Sequence, residues 1–236
     1  MNKSTVLFSI LIPTLEERRA QFNRLAEKLR AQIAAASLEE TVEICVDRDN
    51  REKSIGLKRN ELIQRARGEF IAFVDDDDEI HDNYVSLICA ALRDHPHVDC
   101  LGIRGIVYFR GTHPRQLIHS TQYDHYFSRG GVYYRPPYIL NPLRRVIAQR
   151  YPFEAVNFSS DIDWAMRIAR DRVLQREHML DLDIYFYFSR RHWLVQAAID
   201  ATEGIRHPLG LQFANRLRLA RWLRNQRKAG IWKRRW

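Results

Sequence analysis

Short apolar runs alternate with amphipathic stretches through the first part of the chain. Phe8–Pro13 is a continuous apolar run, which is typical of a strand buried on both faces of a parallel sheet. Val42–Val46 and Phe70–Val74 are predicted to be two further buried strands. From Glu16 to about Ala35 apolar side chains recur at helical spacing, and a second helix is expected from about Gly56 to Arg67. This alternation predicts a doubly wound α/β sheet.

Polar residues at the ends of these stretches predict where the helices begin and stop. Ser54 is a suitable N-terminal cap for the second helix, and Gly68 is a suitable C-terminal stop. Asp82 can cap a third helix, which is expected to end before Pro96. The first part of the chain is therefore predicted to contain three strand–helix units.

The second part of the chain has a less regular pattern. Val98–Arg110 is predicted to be extended, and Thr112–Pro142 to be irregular. Helix is expected over Asp161–Arg176, strand over Asp183–Phe188, and helix again over Trp193–Ala201. Since no internal repeat or low-complexity linker divides the chain, we expect one domain over residues 1–204, followed by a tail.

The positive charge is concentrated in that tail. The chain has 236 residues and a net charge of +9, and residues 205–236 contain ten Lys or Arg and no Asp or Glu. Apolar side chains at helical spacing and three tryptophans accompany these charges, as in an amphipathic helix lying on an anionic membrane. The alternatives are a helix that docks on a partner, a helix packed on the body, and electrostatic binding of nucleic acid.

The composition also bears on the compartment. No run approaches the roughly 18 consecutive apolar residues that a membrane span needs. The three cysteines, Cys45, Cys89 and Cys100, are far apart and lack metal-ligand spacing, which favours reduced thiols in a cytosolic protein. The expected location is the cytoplasm, with peripheral contact of the tail with the inner face of the membrane.

Acidic residues follow two of the predicted strands. Asp47 and Asp49 come after the second strand, and Asp75–Asp78 come directly after the third. Ligands of open α/β sheets bind outside the carboxyl ends of the strands. Four adjacent carboxylates repel one another unless water or a cation compensates them, and Mg²⁺ or Mn²⁺ binds carboxylates together with substrate phosphates. The sequence therefore predicts a metal site; the alternative is a solvated acidic turn.

Three segments in a fixed order carry a family resemblance. The segments are FSILIPTL, EICVDRDN and GLKRNELIQRARGEFIAFVDDDDEI, and the pattern resumes at LNPLRR, FSSDIDWAMR and YFSRRHW. Together they resemble family 2 glycosyltransferases with the GT-A fold. The resemblance implies a mixed α/β sheet with a nucleotide-binding half at about residues 1–97, an acceptor half at 98–204, and the basic amphipathic tail at 205–236.

The resemblance also implies which residues bind a nucleotide-sugar donor. Asp47 would hydrogen-bond the base, and Asp75 would lie near the ribose or the sugar. Asp77 would coordinate Mn²⁺ or Mg²⁺ between the two phosphates, with His192 near the metal. The implied donor-binding set is Pro13, Thr14, Asp47, Lys58, Arg59, Asp75 and Asp76. Where the family often has Asp-Gly-Ser, this chain has Asp-Arg-Asp-Asn at 47–50, and uridine is the expected nucleoside.

Asp161 occupies the place of the family's catalytic base, and Asp163 is the alternative. An inverting transfer needs one carboxylate to take the proton of the acceptor hydroxyl, and the leaving diphosphate needs a cation rather than a general acid. The resemblance thus implies transfer of a hexose to a hydroxyl of a glycan or glycolipid, such as a cell-surface polysaccharide or lipopolysaccharide.

Residues 112–142 are rich in aromatic and arginine side chains, which makes them a candidate acceptor surface or a loop that packs on its own body. Three other functions stay open: a glycosyltransferase acting on modified DNA bases, a sugar-nucleotide pyrophosphorylase, and a non-catalytic basic binding protein. A pyrophosphorylase would need a glycine-rich loop after the first strand, and LIPTLEERR contains no glycine.

Overall fold

One mixed sheet with flanking helices organises the chain. The computed structural model describes residues 6–109, 111–157 and 159–189. The strands are β1 (Phe8–Leu15), β2 (Val42–Asp49), β3 (Phe70–Phe73), β4 (Glu79–Ile80), β5 (Cys100–Phe109), β6 (Thr112–His119), β7 (Phe127–Arg129), β8 (Val132–Arg135), β9 (Leu143–Arg144) and β10 (Glu177–Ser189). The helices are α1 (Arg19–Ala35), α2 (Ile55–Arg65), α3 (Tyr84–Asp94), α4 (Arg145–Ala148) and α5 (Ser160–Arg170), with a 3₁₀ turn at Glu16–Arg18.

The first three strands form a parallel unit with β1 in the centre. Ile10 of β1 pairs with Ile44 of β2 on one side and with Ala72 of β3 on the other. The apolar face predicted for α1 is buried against this unit. Because the three strands are parallel, the residues that follow β2 and β3 lie at the same edge of the sheet, as the doubly wound pattern predicts.

Of the residues predicted to cap or stop helices, Ser54 has the predicted role, and Asp82 and Gly68 do not. Ser54 caps α2 as predicted, since its side chain accepts a hydrogen bond of 3.3 Å from Leu57 N. Asp82 does not cap α3; its carboxylate pairs with Lys28 Nζ at 2.9 Å instead. Gly68 does not stop α2, which ends at Arg65. A Cβ at Gly68 would lie 2.5 Å from Ser9 Oγ, so the glycine is needed for close packing of the chain on β1.

The second half is built around β5, which pairs in parallel with β10 and antiparallel with β6. The prediction that Thr112–Pro142 is irregular was wrong, because β6, β7 and β8 lie within it. These strands extend the sheet beyond β5 in the order β5-β6-β8-β7. The helix expected over Asp161–Arg176 is shorter, and the strand expected over Asp183–Phe188 is longer, since β10 follows β5 along most of its length.

α5 packs against the first half through aromatic side chains. Trp164 of α5 is buried and stacks on Phe153 with ring centroids 5.0 Å apart. Phe153 in turn meets Phe73 of β3 edge to face at 5.9 Å. This contact brings the beginning of α5 to the end of β3.

The helices of the described residues include none with the length and apolar character of a membrane-spanning segment. The predicted helix Trp193–Ala201 and the tail 205–236 lie outside the described residues, and the division into halves stays a prediction.

Candidate active site

The acidic loop, defined as Asp75–Asp78, follows β3 at the edge of the parallel unit. Val74 N donates a hydrogen bond of 3.0 Å to Leu11 O, so the chain is still hydrogen-bonded to β1 at the residue before the loop. Asp76 is buried, and its carboxylate accepts hydrogen bonds from Thr14 Oγ1 at 2.5 Å and from Arg18 Nη1 at 2.7 Å. Thr14 and Asp76 therefore do meet, and their contact joins the end of β1 to the acidic loop.

β10 holds the other end of the acidic loop. Asp78 is buried and accepts hydrogen bonds from Tyr185 Oη at 2.8 Å and from Phe188 N at 2.9 Å. Tyr185 Oη also accepts a hydrogen bond of 3.2 Å from Asp75 N. Burial, with the negative charge of Asp75, raises the pKa of Asp78 to about 8 despite these hydrogen bonds. The hydrogen bonds of Asp78 attach the end of the acidic loop to β10.

Asp75 and Asp77 are half-buried, whereas Asp76 and Asp78 are buried. Burial, together with the negative charges of its acidic neighbours, raises the pKa of Asp75 to about 6, and the positive charge of Arg59 opposes the rise. The Asp77 side chain is 33% exposed, and its Oδ2 lies 3.3 Å from Arg18 Nη1. The loop therefore already attracts a cationic group at Asp77.

Asp77 fits a hard divalent cation that is held mainly by substrate phosphates. Mg²⁺ in such sites takes only one or two protein carboxylates and completes its shell with phosphate oxygens and water. Within residues 6–109, 111–157 and 159–189, no group of three His, Cys, Asp or Glu converges as a self-sufficient metal site. His192, the second predicted metal residue, lies outside the described residues.

The predicted base-binding end lies beside the C-terminal ends of β1 and β2. Pro13 pairs in register with Asp47. The buried Asp47 carboxylate lies 3.2 Å from Lys53 Nζ and 3.3 Å from Arg65 Nη2, so two cations already compensate its charge. Any ligand of Asp47 must share the carboxylate with these cations.

Lys58 is buried rather than turned to solvent. Its Nζ forms an ion pair with Asp49 and donates a hydrogen bond of 2.6 Å to Thr14 O. Desolvation of an ion pair is costly unless the remaining donors are also satisfied, and the Thr14 carbonyl satisfies one of them. Lys58 therefore connects α2 with the ends of β1 and β2, at the place where the resemblance puts the donor.

Arg59 lies between the acidic loop and α5. Its guanidinium is 5.9 Å from the ring centroid of Phe73 and 5.5 Å from that of Phe153. Arg59 Nη1 donates to Ser160 Oγ at 3.4 Å, and Nη2 lies 3.8 Å from Asp161 Oδ2. The side chain is buried. Arg59 is thus a shared counter-ion for the acidic loop and for the beginning of α5.

Asp161 lies in the first turn of α5. Its Oδ1 accepts a hydrogen bond of 2.9 Å from Ile162 N, and its Oδ2 accepts one from Tyr138 Oη. The Asp161 side chain is 24% exposed, which leaves room for a substrate hydroxyl to approach. The alternative base, Asp163, pairs with Arg167 at 2.7 Å along the same helix. Of the two candidate bases, Asp161 and Asp163, Asp161 is the one whose ion pair is with Arg59.

Sequence patterns missed Arg18 and Tyr185, which contact the predicted site residues directly. Tyr138 belongs to the aromatic segment named as a candidate acceptor surface, but its contact with Asp161 was not predicted. The sequence around each of these residues has no distinctive motif, and only the folded sheet brings it to the site.

The aromatic side chains of residues 112–142 pack largely on one another. Phe127 and Tyr134 stack with ring centroids 4.9 Å apart, and Tyr123 meets both edge-on.

Residues 9–139 match the sequence profile of the family described as glycosyl transferase family 2. The chain belongs to this family. A comparison with curated protein sequences finds no match. Among solved structures, S. aureus TarS 1–349 is similar at 16% identity and a TM-score of 0.50, over 78% of this chain and 60% of that one. The same fragment in complex with UDP gives 17% identity and a TM-score of 0.51 over the same shares.

The family 2 match and these structural similarities confirm the GT-A type fold that the resemblance implied. The order β2-β1-β3 and the mixed pairing beyond β3 agree with that fold class. The chain spans about 60% of the length of the TarS fragment.

Proposed function

We propose that this family 2 protein is a metal-dependent inverting glycosyltransferase. It would move a hexose from a UDP-linked sugar to a hydroxyl of a glycan or glycolipid acceptor. The observation that carries the proposal is that Arg59 lies close to both Asp161 and the acidic loop: its Nη2 is 3.8 Å from Asp161 Oδ2, and its charge opposes the rise in the pKa of Asp75. That arrangement supplies one partly exposed carboxylate for proton transfer beside a carboxylate loop suited to a diphosphate-bound cation.

Each group of residues has a chemical task in this scheme. Asp161 accepts the proton of the acceptor hydroxyl as its oxygen attacks the anomeric carbon. A divalent cation, Mn²⁺ or Mg²⁺, held by Asp77 would supply the positive charge that the leaving diphosphate needs. Arg59 keeps the negative charges of Asp75 and Asp161 compatible at close range. Asp76 acts through the shape of the acidic loop, because Thr14 and Arg18 already bind its carboxylate.

The donor is assigned as a UDP-sugar on two grounds. Pro13 and Asp47 lie side by side at the sheet edge where the resemblance places the base. A protein of similar fold, the TarS fragment, has been crystallised with UDP. His192 is proposed as a further residue near the metal. The acceptor class, a glycan or glycolipid hydroxyl, rests on the resemblance alone.

Asp77→Ala tests the metal and donor site. We expect UDP affinity in the presence of Mn²⁺ to fall by about tenfold or more, because the carboxylate that links the protein to the cation is lost. Isothermal titration calorimetry with UDP, with and without Mn²⁺, measures the change. Asp82→Ala removes an exposed carboxylate near the loop and serves as the control. Unchanged Mn²⁺-dependent UDP binding in Asp77→Ala would overturn the assignment.

Asp161→Asn tests the base. A panel of UDP-glucose, UDP-galactose and UDP-N-acetylglucosamine first identifies the donor by Mn²⁺-dependent release of UDP. Turnover of that donor should fall by about 10²–10⁴ in Asp161→Asn, because an amide cannot accept the proton, whereas UDP affinity should stay the same. Asp163→Asn is the matched control on the same helix. Full turnover in Asp161→Asn, or a larger loss in Asp163→Asn, would reject Asp161 as the base.

A further inference from the structure

Two protein donors fix the carboxylate of Asp161 from opposite sides. Ile162 N donates to Oδ1 at 2.9 Å, and Tyr138 Oη donates to Oδ2. The first donor belongs to α5 itself, but Tyr138 comes from the segment between β8 and β9. Because each oxygen has one donor, the carboxylate plane cannot rotate freely. One lone pair of each oxygen is left for other partners.

Tyr138 is itself held in a single place by its surroundings. Asn141 Oδ1 accepts a hydrogen bond from Tyr138 N at 2.8 Å, and Asn141 N donates to Tyr138 O at 3.0 Å, so the two residues close a turn. Asn141 Nδ2 donates to Leu101 O at 2.8 Å, which fastens the turn to β5. These hydrogen bonds hold the backbone of Tyr138, so only its side-chain torsions are left to be set when the hydroxyl makes a hydrogen bond.

The hydroxyl of Tyr138 is kept as a donor. Burial and the negative charge of Asp161 hold the pKa of Tyr138 well above its ordinary value. The ring lies 5.5 Å from that of His119, whose pKa burial and the charge of Arg135 lower to about 3. His119 is therefore neutral near pH 7 and places no positive charge beside the Tyr138 ring.

We propose that Tyr138 is a positioning residue for the catalytic base, orienting the Asp161 carboxylate so that its remaining lone pairs face the acceptor hydroxyl. The proposal rests on the proposed function, since it needs Asp161 to be the base. It assigns to the segment between β8 and β9 an influence on the reaction that is exerted through Asp161. A turn fastened to β5 thereby sets the geometry of a carboxylate on α5.

Tyr138→Phe removes only the hydroxyl and tests this role. We expect kcat for UDP release from the identified donor to fall by about 10- to 100-fold, since small misplacements of a reacting group have effects of this size. KM for the donor and the affinity for UDP should stay within about twofold, because the donor contacts are unchanged. Tyr151→Phe, which removes the exposed hydrogen bond of 3.1 Å from Tyr151 Oη to Asp171, is the matched control and should retain its kcat.

A double variant separates positioning from a general structural effect. If Tyr138 acts through Asp161, Tyr138→Phe should cause no further loss of kcat in the Asp161→Asn background. A kcat within about twofold of wild type in Tyr138→Phe alone, or a double variant that loses the product of the two single effects, would overturn the proposal.

Failure of the proposed function has a different signature, because wild-type protein would then neither bind UDP nor release it from any donor of the panel. In that case crystal structures of wild type and Tyr138→Phe test separately whether the Tyr138 hydroxyl orients the Asp161 carboxylate. A rotated or disordered Asp161 carboxylate in the variant supports it, and an unmoved one overturns it.

Discussion

At the scale of single residues, the aspartates of the site differ in what their carboxylates contact. Asp76 and Asp78 are buried and accept hydrogen bonds from side chains on β1, the 3₁₀ turn and β10. Such carboxylates have little capacity left for substrate and act on the shape of the loop. Asp77 and Asp161 keep part of their surface accessible. This difference in accessibility is why we propose that Asp77 and Asp161, rather than Asp76 and Asp78, contact the substrate or its cation.

Asp99, which lies away from the site, is a carboxylate whose hydrogen bonds contribute to the stability of the fold. Burial opposes its charge, but hydrogen bonds from Arg176 Nη2 at 2.9 Å, Gln175 N at 3.0 Å and Arg176 N at 3.0 Å outweigh burial and lower its pKa. A carboxylate whose pKa is lower in the folded state stabilises that state above its unfolded pKa of about 3.9. The contribution is lost as the pH falls through the lower, folded value.

We therefore expect Asp99→Asn to lower the free energy of unfolding at pH 7 by about 1–2 kcal/mol, because charge-assisted hydrogen bonds are lost. The difference from wild type should shrink below about pH 4, where the wild-type carboxylate also becomes neutral. Urea denaturation at pH 7 and at acidic pH measures both values. Asp94→Asn, at the exposed end of α3, is the control. A difference that does not change with pH contradicts the electrostatic origin.

At the scale of elements, close approach of the chain to β1 decides where the acidic loop lies. Gly68 precedes β3, and its N donates a hydrogen bond of 2.8 Å to Ser9 Oγ. A Cβ at this position would also lie 2.6 Å from Ser9 N and 2.8 Å from Phe70 O, which are backbone atoms with little freedom to move. The contact lies beside the first paired residues of β3 and β1, Phe70 and Phe8, so we expect it to support the register that leads to the loop.

Gly68→Ala is expected to lower the free energy of unfolding by about 1–3 kcal/mol, because the added methyl group overpacks a backbone contact. Thermal and urea denaturation measure the loss. Gly111→Ala is the comparison: its φ of 73° strains an alanine, but a Cβ there meets no atom within 4 Å. Backbone strain of this kind costs about 1–2 kcal/mol. Wild-type stability in Gly68→Ala would show that β3 can shift to accommodate the methyl group.

At the scale of the whole molecule, a near-neutral body is joined to a basic tail at residues 205–236. We predict that deletion after Glu203 weakens binding to vesicles of phosphatidylglycerol, because most of the positive charge is removed and each Lys or Arg near an anionic surface contributes about 1 kcal/mol. Vesicle sedimentation measures the bound fraction, and phosphatidylcholine vesicles are the neutral control. Equal binding of the full and shortened chains to anionic vesicles would eliminate a membrane role.

The same tail also bears on the nucleic-acid alternative. An electrostatic nucleic-acid contact would appear as salt-dependent binding of an unrelated DNA duplex by the full chain only. Salt-dependent DNA binding without vesicle binding would favour that alternative over the membrane.

The sequence by itself determined the parallel unit, the place of the acidic loop and the candidate base. Buried apolar runs, helical spacing and ordered motifs are local signals, and local signals suffice where strands and helices alternate. Only the tertiary structure decided that Thr112–Pro142 contains strands, because the partner that orders them is β5. It also decided that Arg59 is shared between Asp161 and the acidic loop. Tyr138 and Tyr185 reach the site from distant segments, and contacts between such segments have no periodicity to reveal them.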